Sequence, residues 1–176
     1  MRKVFVSGCY DIVHGGHVEF FRQARALGDA LIVCLPSDEV LFQHKKRRPF
    51  IPLSHKIHLL RSLRSVDEVV VGDDPDLGLN FRSEFLRLKP QFLAVTDDDH
   101  FEDSKRALCR EVGAEYVKLP KTLDYEPIST TQIYERIRAP AEAPVRIDFA
   151  GGWLDVPRFA RPDGYIVNCT ITPMVS

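Results

Sequence analysis

Five short apolar runs rich in β-branched and aromatic residues punctuate the first 120 positions of the chain: Lys3–Ser7, Ala30–Leu35, Glu68–Val71, Gln91–Thr96 and Glu115–Leu119. Between them the apolar spacing is helical. Val18, Phe21 and Ala24 fall on one face after the first run, and Ile57, Leu60 and Leu63 do so before the third. Gly28 and Gly113 sit where helices should stop, Ser54 where one should start, and a last helix fits Thr130–Arg138. Strands alternating with helices predict βαβ units with right-handed crossovers. The expected fold is therefore α/β, a Rossmann-like parallel sheet of five strands with helices on both faces. Such sheets bind ligands beyond the carboxyl ends of their strands, where strand order reverses. That directs attention to the loops Gly8–His17, Ser37–Leu53, Gly72–Asn80, Asp97–Asp103 and Pro120–Ser129.

Composition narrows the classes. The 176 residues, 44% hydrophobic and 28% charged, suit one ordinary domain plus a short extra segment and disfavour disorder or a small disulfide scaffold. With 24 Lys+Arg against 25 Asp+Glu the net charge is −1, so no overall field draws the chain to nucleic acid or an anionic membrane. No apolar stretch approaches the roughly 18 residues of a spanning helix. The amino terminus, MRKVFVSG, turns polar too early for a signal peptide, so the expected compartment is the cytoplasm. Cys9, Cys34, Cys109 and Cys169 are scattered without CxxC spacing, which suits reduced thiols. No internal repeat or low-complexity tract occurs. The Pro/Ala segment 139–144 reads as a linker, which sets the expected division at a domain 1–138, a linker 139–144 and a tail 145–176.

Candidate chemistry starts in the first loop, Gly8-Cys9-Tyr10-Asp11-Ile12-Val13-His14-Gly15-Gly16-His17, which runs from the first strand into the first helix. Helix amino termini offer free N–H groups and partial positive charge, so the junction suits a phosphate. Two imidazoles flank a Gly-Gly there, and the glycines leave the backbone open to close approach by a ligand. Zinc ligation is disfavoured by the i, i+3 spacing and the lack of a third ligand nearby, and no residue is assigned to a metal. A dinucleotide turn is disfavoured because GxGxxG is absent. Electrostatic support for phosphoryl-type chemistry remains. His44-Lys45-Lys46-Arg47-Arg48 reads either as a solvated charge run or as phosphate capture beside an anion site. Ser129 and Thr130 can cap the last helix, and the same hydroxyls and first-turn amides can bind phosphate. Asp97-Asp98-Asp99-His100 is either a turn-forming acidic cluster or a cation site.

The segment GCYDIVHGGH resembles the HxGH signature of the nucleotidyltransferase superfamily, in particular its cytidylyltransferase-like branch. RQARALGD, LIVCLPSDE, HKKRRPF, SVDEVVVG, VTDDDH and ISTTQI follow in the family's order, and the resemblance covers about positions 3 to 138. It implies an enzyme that joins a nucleoside triphosphate, carried with Mg²⁺, to a small phosphorylated metabolite such as a sugar phosphate or phospho-alcohol, with release of pyrophosphate. His14, His17 and Lys45 are then the catalytic residues, with Lys46 the alternative one position on. Gly8, Cys9, Tyr10, Asp11, Gly16, Asp98, Asp99, Ser129 and Thr130 become the nucleotide-binding residues, Asp11 chiefly orienting its loop. CTP is preferred over ATP because GCYD and RQARALGD look most like the phosphoethanolamine-type enzymes, whereas RPFIPL is similar to heptose adenylyltransferases. Two departures bear on substrate choice. Asp97 and His100 replace the glycine and aromatic residue of a Gly-Asp-Asp-Trp type segment, and no arginine stands shortly before the Ile128-Ser129-Thr130 run. A homodimer through Ser65–Gly72 is implied as well.

Val145–Pro157 and Gly164–Ile171 resemble the opening strands of GHMP sugar kinases, without the glycine-rich ATP loop. A fusion protein with a sugar kinase is one account of the tail, and an added hairpin is the other. Two rival functions stay open: a nucleotide-binding regulatory protein without turnover, and nucleic-acid binding through the basic cluster. The second is disfavoured because no basic stripe accompanies the cluster.

Overall fold

The computed structural model describes residues 1–46, 48–121, 126–138, 143–150 and 167–175. The chain divides into two units, Met1–Ile133 and Tyr134–Ser176. The first contains β1 (Lys3–Ser7), α1 (Gly15–Ala26), β2 (Ala30–Pro36), α2 (Asp38–Lys45), α3 (Leu53–Arg61), β3 (Glu68–Gly72), α4 (Arg82–Leu88), β4 (Phe92–Thr96), α5 (Glu102–Val112) and β5 (Glu115–Leu119), and then the start of α6 (Thr130–Arg138). All pairings are parallel in the order β3-β2-β1-β4-β5, so the predicted α/β Rossmann-like sheet is present. β1 meets β2 on one side and β4 on the other. Strand order therefore reverses between β1 and β4, and a crevice opens at their carboxyl ends.

Alternation along the central strands distributes two cores. Val4, Val6, Leu31, Val33 and Leu35 face one layer with Phe21, Ala24 and Leu60 from α1 and α3. Phe5, Ile32, Cys34, Leu93 and Val95 face the other with Phe85, Leu108 and Cys109 from α4 and α5. Burial on both faces is what a parallel sheet demands, and it explains why these strands read as continuous apolar runs rather than alternating ones.

Several local expectations change. The face of α1 is displaced by one residue: Phe21 and Ala24 are fully buried, but Val18 is 42% exposed. The inward stripe instead starts at His17, three to four positions before Phe20 and Phe21, and an imidazole occupies the place expected for an apolar side chain. The segment after the second strand is not all loop. Ser37 caps α2 by accepting from the Val40 N–H, Asp38 and Glu39 lie in its first turn, and His44 and Lys45 lie in its last, each in keeping with the helix dipole. α3 begins at Leu53 behind an extended Pro52, which lacks a side-chain cap, so Ser54 lies inside the first turn. Gly113 ends α5 with φ of 73°, as its position predicts. Gly28 lies beyond the end of α1, and its requirement is different: a Cβ there would meet the Arg2 carbonyl oxygen at 2.5 Å.

The second unit contains β6 (Ala143–Ala150) and β7 (Val167–Val175), an antiparallel pair. The expected linker overlaps this strand at positions 143 and 144, and its first residues lie outside the described ones. Among the described residues, Cys9, Cys34 and Cys109 form no disulfide. Among the described residues no helix is long and apolar enough to cross a membrane.

Gly72 ends β3 where the backbone of Asn80 returns, and a Cβ would stand 2.3 Å from the Asn80 carbonyl oxygen. Gly72→Ala should cost about 1–3 kcal/mol through this backbone overlap, measured as a lower urea midpoint with unchanged m-value.

Candidate active site

The crevice between the ends of β1 and β4 is a cleft of about 710 Å³. Its walls come from the first loop, α1, the carboxyl ends of β4 and β5, and the amino terminus of α6. All twelve residues expected to form the site line it: Gly8, Cys9, Tyr10, Asp11, His14, Gly16, His17, Lys45, Asp98, Asp99, Ser129 and Thr130. They come from four separate stretches of chain, brought together by the strand order.

The first loop is built around Tyr10, whose backbone takes a left-handed φ of 41°. Its buried ring lies over Gly8, where a Cβ would stand 2.7 Å from the ring, and its edge meets His17 with centroids 5.1 Å apart. Asp11 is 2% exposed and accepts from the Phe50 N–H at 2.9 Å and the Ile51 N–H at 3.3 Å. This tethers the loop to the segment before α3.

His14 is the N-cap of α1, and its Nδ1 accepts from the Gly16 N–H at 3.2 Å. A nitrogen that accepts carries no proton, so the neutral ring holds its proton on Nε2. The His14 and His17 rings lie nearly stacked, centroids 3.9 Å apart and planes 33° apart. Among the described residues, His17 Nδ1 is buried with no hydrogen-bond partner. Burial, the neighbouring His14 and the Lys121 ammonium lower the His17 pKa to about 4, and burial also lowers that of His14. Both rings are therefore neutral near pH 7 in the free protein.

Of the basic cluster, Lys45 lines the cleft while Lys46 turns through a left-handed C-cap and His44 bonds the Pro75 carbonyl at 2.9 Å. Arg47 lies outside the described residues, as do Leu123, Asp124 and Tyr125. At α6, Ser129 and Gln132 form a reciprocal capping box, with Gln132 N–H to Ser129 Oγ at 3.1 Å and Ser129 N–H to Gln132 Oε1 at 2.8 Å. Thr130 Oγ1 donates to the Ile12 carbonyl at 3.5 Å, joining the helix to the first loop.

The neighbouring Asp98 and Asp99 have opposite surroundings. The Asp99 carboxylate is 6% exposed and receives the Lys105 ammonium at 2.6 Å, the Tyr116 hydroxyl at 2.7 Å and the Phe101 N–H at 3.3 Å. Burial opposes its ionisation, but these donors together hold its pKa below the usual value. Asp98 is 57% exposed, accepts from the Thr96 hydroxyl at 2.7 Å and pairs with Lys121. Lys121 was not anticipated. It supplies a cation at the end of β5 where the expected arginine is absent, and a lysine just past a strand's carboxyl end was the signal available for it. Among the described residues no group of three or more His, Cys, Asp or Glu is placed to hold a metal.

Paired imidazoles at a strand-to-helix junction, with a second helix amino terminus and lysines lining the same cleft, form a candidate phosphate-binding site. The chain belongs to the cytidylyltransferase-like family, which matches residues 5–136. It is 37% identical over 139 residues to an FAD synthase of Pyrococcus horikoshii, covering 77% of this chain and 91% of that one. It is 33% identical over 138 residues to the FAD synthase of Thermococcus kodakarensis, with the same coverages. The bifunctional protein HldE of Methylococcus capsulatus is 38% identical over 141 residues, covering 78% of this chain and 28% of that protein. Among solved structures, the fold is shared with a lipopolysaccharide core biosynthesis protein of Thermoplasma volcanium. That match has a TM-score of 0.58 and 22% identity, and covers 72% of this chain and 99% of the other.

The titration of His17 has a stability consequence. In the unfolded chain it takes up a proton near pH 6.5, whereas in the folded protein it does so only near pH 4. Between those values the unfolded state binds more protons, so stability should fall as pH drops from 6.5 toward 4. Asp98 and Asp99, with pKa values lowered from 3.8, add their own loss only below that window. Urea midpoints recorded across it should fall less steeply in His17→Gln than in the wild type. An imidazole resonance of His17 titrating near 6.5 in the folded protein would contradict the assignment.

Proposed function

We propose that this enzyme transfers the adenylyl group of ATP to the phosphate of FMN, giving FAD and pyrophosphate. The observation that carries the reading is the conjunction of the stacked His14/His17 pair in the cleft with FAD synthases among the relatives. FAD is FMN joined to AMP through a pyrophosphate link, so an enzyme of this fold would form it in a single displacement. The preference for CTP given by the first-loop resemblance yields to ATP on the strength of these relatives.

In this reading an oxygen of the FMN phosphate attacks the α-phosphorus in line, and the bond from that phosphorus to the bridging oxygen breaks as pyrophosphate leaves. The attacking phosphate is already anionic, so no general base is needed. Catalysis becomes positioning and charge stabilisation. His14 Nε2–H is the donor fixed by the capping bond. His17 supplies a second ring beside it, Lys45 an approaching cation, and the first-turn amides of α6 receive phosphate oxygens. Mg²⁺ enters bound to ATP as part of the substrate. Ser129 acts through the cap it forms, and Thr130 by holding α6 against the first loop. Assembly as a homodimer fits the position of β3 at an edge of the sheet. The tail resembling a GHMP kinase stays a proposal of its own, resting on sequence resemblance.

A second reading, adenylyl transfer to a sugar 1-phosphate, is favoured by the RPFIPL segment and the HldE relative. Pyrophosphate release with ATP or CTP against FMN and a panel of sugar 1-phosphates decides between them. FAD formation from ATP and FMN is the expected result. Release confined to sugar phosphates would select the second reading, and nucleotide binding without turnover would mark a regulatory protein. His17→Ala should lower turnover by about 10²–10³, the loss typical of removing one donor to developing negative charge.

A further inference from the structure

α2 is short and lightly packed. Its eight residues bury Val40 and Leu41 and leave Phe42 52% exposed, and a helix of this length is not stable without tertiary support. Both of its ends are tied to the segment that follows β3. At the amino end the Ser37 N–H donates to the Gly72 carbonyl at 2.9 Å, and the Ser37 hydroxyl donates to the Asp73 carboxylate at 2.5 Å. At the carboxyl end His44 Nε2 lies 2.9 Å from the Pro75 carbonyl oxygen. A carbonyl only accepts, so this nitrogen carries a proton. The next residue is Lys45, which lines the cleft with His14 and His17.

The segment that receives these bonds is itself held. Asp74 accepts from the Ser83 N–H at 2.9 Å and the Ser83 hydroxyl at 2.6 Å, in the first turn of α4, and its own N–H donates to the Asn80 carbonyl at 3.1 Å. Gly78 turns with φ of 80° against the Phe101 ring, which a Cβ would meet at 2.4 Å. The Pro75 carbonyl is thus a fixed point, and it stands outside the lining of the cleft. Lys45, by contrast, is exposed and has a long side chain rich in rotamers.

We propose that His44 is a positioning residue: its bond to the Pro75 carbonyl fixes the carboxyl end of α2 and so holds Lys45 where it meets a triphosphate. The basic cluster His44–Arg48 then divides by duty, its histidine an anchor and its first lysine the group presented. This rests on the reading of Lys45 under nucleotidyl transfer and not on the identity of the acceptor. Binding of ATP in the absence of any acceptor is therefore the measurement.

Calorimetric titration of the full chain and its variants with ATP, at fixed ionic strength, provides the test. Lys45→Ala should weaken binding about tenfold, the usual effect of losing a hydrogen bond between charged groups. His44→Ala should weaken it about three- to tenfold, the effect of one ordinary hydrogen bond, and His44→Gln, which keeps an N–H donor, should recover most of the loss. The double variant His44→Ala with Lys45→Ala should match Lys45→Ala alone, because the imidazole acts through the lysine. A histidine that merely supported the fold would lower affinity equally in both backgrounds, and that result overturns the proposal. Wild-type affinity in His44→Ala or in Lys45→Ala overturns it as well, as does an equal loss in His44→Ala and His44→Gln. The predicted pattern with ATP but no FAD formation from ATP and FMN would sink the acceptor assignment and leave His44 in its role. A wild-type protein that binds neither ATP nor CTP would sink both.

Discussion

The site depends on one hydrogen bond, from the Gly16 N–H to Nδ1 of His14. The same imidazole closes the amino end of α1 and, by accepting there, is left with its proton on the opposite nitrogen. Gly16 leaves little room for any other arrangement, since a Cβ at that position would press on the His14 ring at 3.0 Å. Helix capping, tautomer and ring direction are thus set by a single contact. His17, one turn further on, is stacked against a ring whose orientation is already decided.

Much of this was legible in the sequence. A strand followed at once by two histidines around Gly-Gly points to the cleft they line, and the alternation of runs implies the sheet that places it. The parts that were not legible have physical causes. His17 lies on the inward stripe of α1, but an apolar-period reading passes over a histidine and selects Val18, which is exposed. Asp98 and Asp99 are adjacent and chemically identical, and only the positions of Lys105, Tyr116 and Lys121 separate their environments. Lys121 could be suspected from its place after β5. Its partner required knowing that β5 lies beside β4.

Burial on both faces of the sheet separates two kinds of residue. The strands carry side chains committed to Phe21, Leu60, Phe85 and Leu108 and tolerate little change. The cleft is built from their terminal loops and from helix ends, where composition can vary without disturbing either core. Changes to the lining of the cleft can therefore leave both cores intact.

The tether from Asp11 to the backbone of Phe50 and Ile51 links the first loop with a segment nearly forty positions later. Because a carboxylate on the first wall fixes amides on the second, the two cannot drift independently. An insertion or a stiffer residue between α2 and α3 would be transmitted to the imidazoles without touching them. The geometry of the imidazole pair is thus open to adjustment from a distance, through residues that do not touch it.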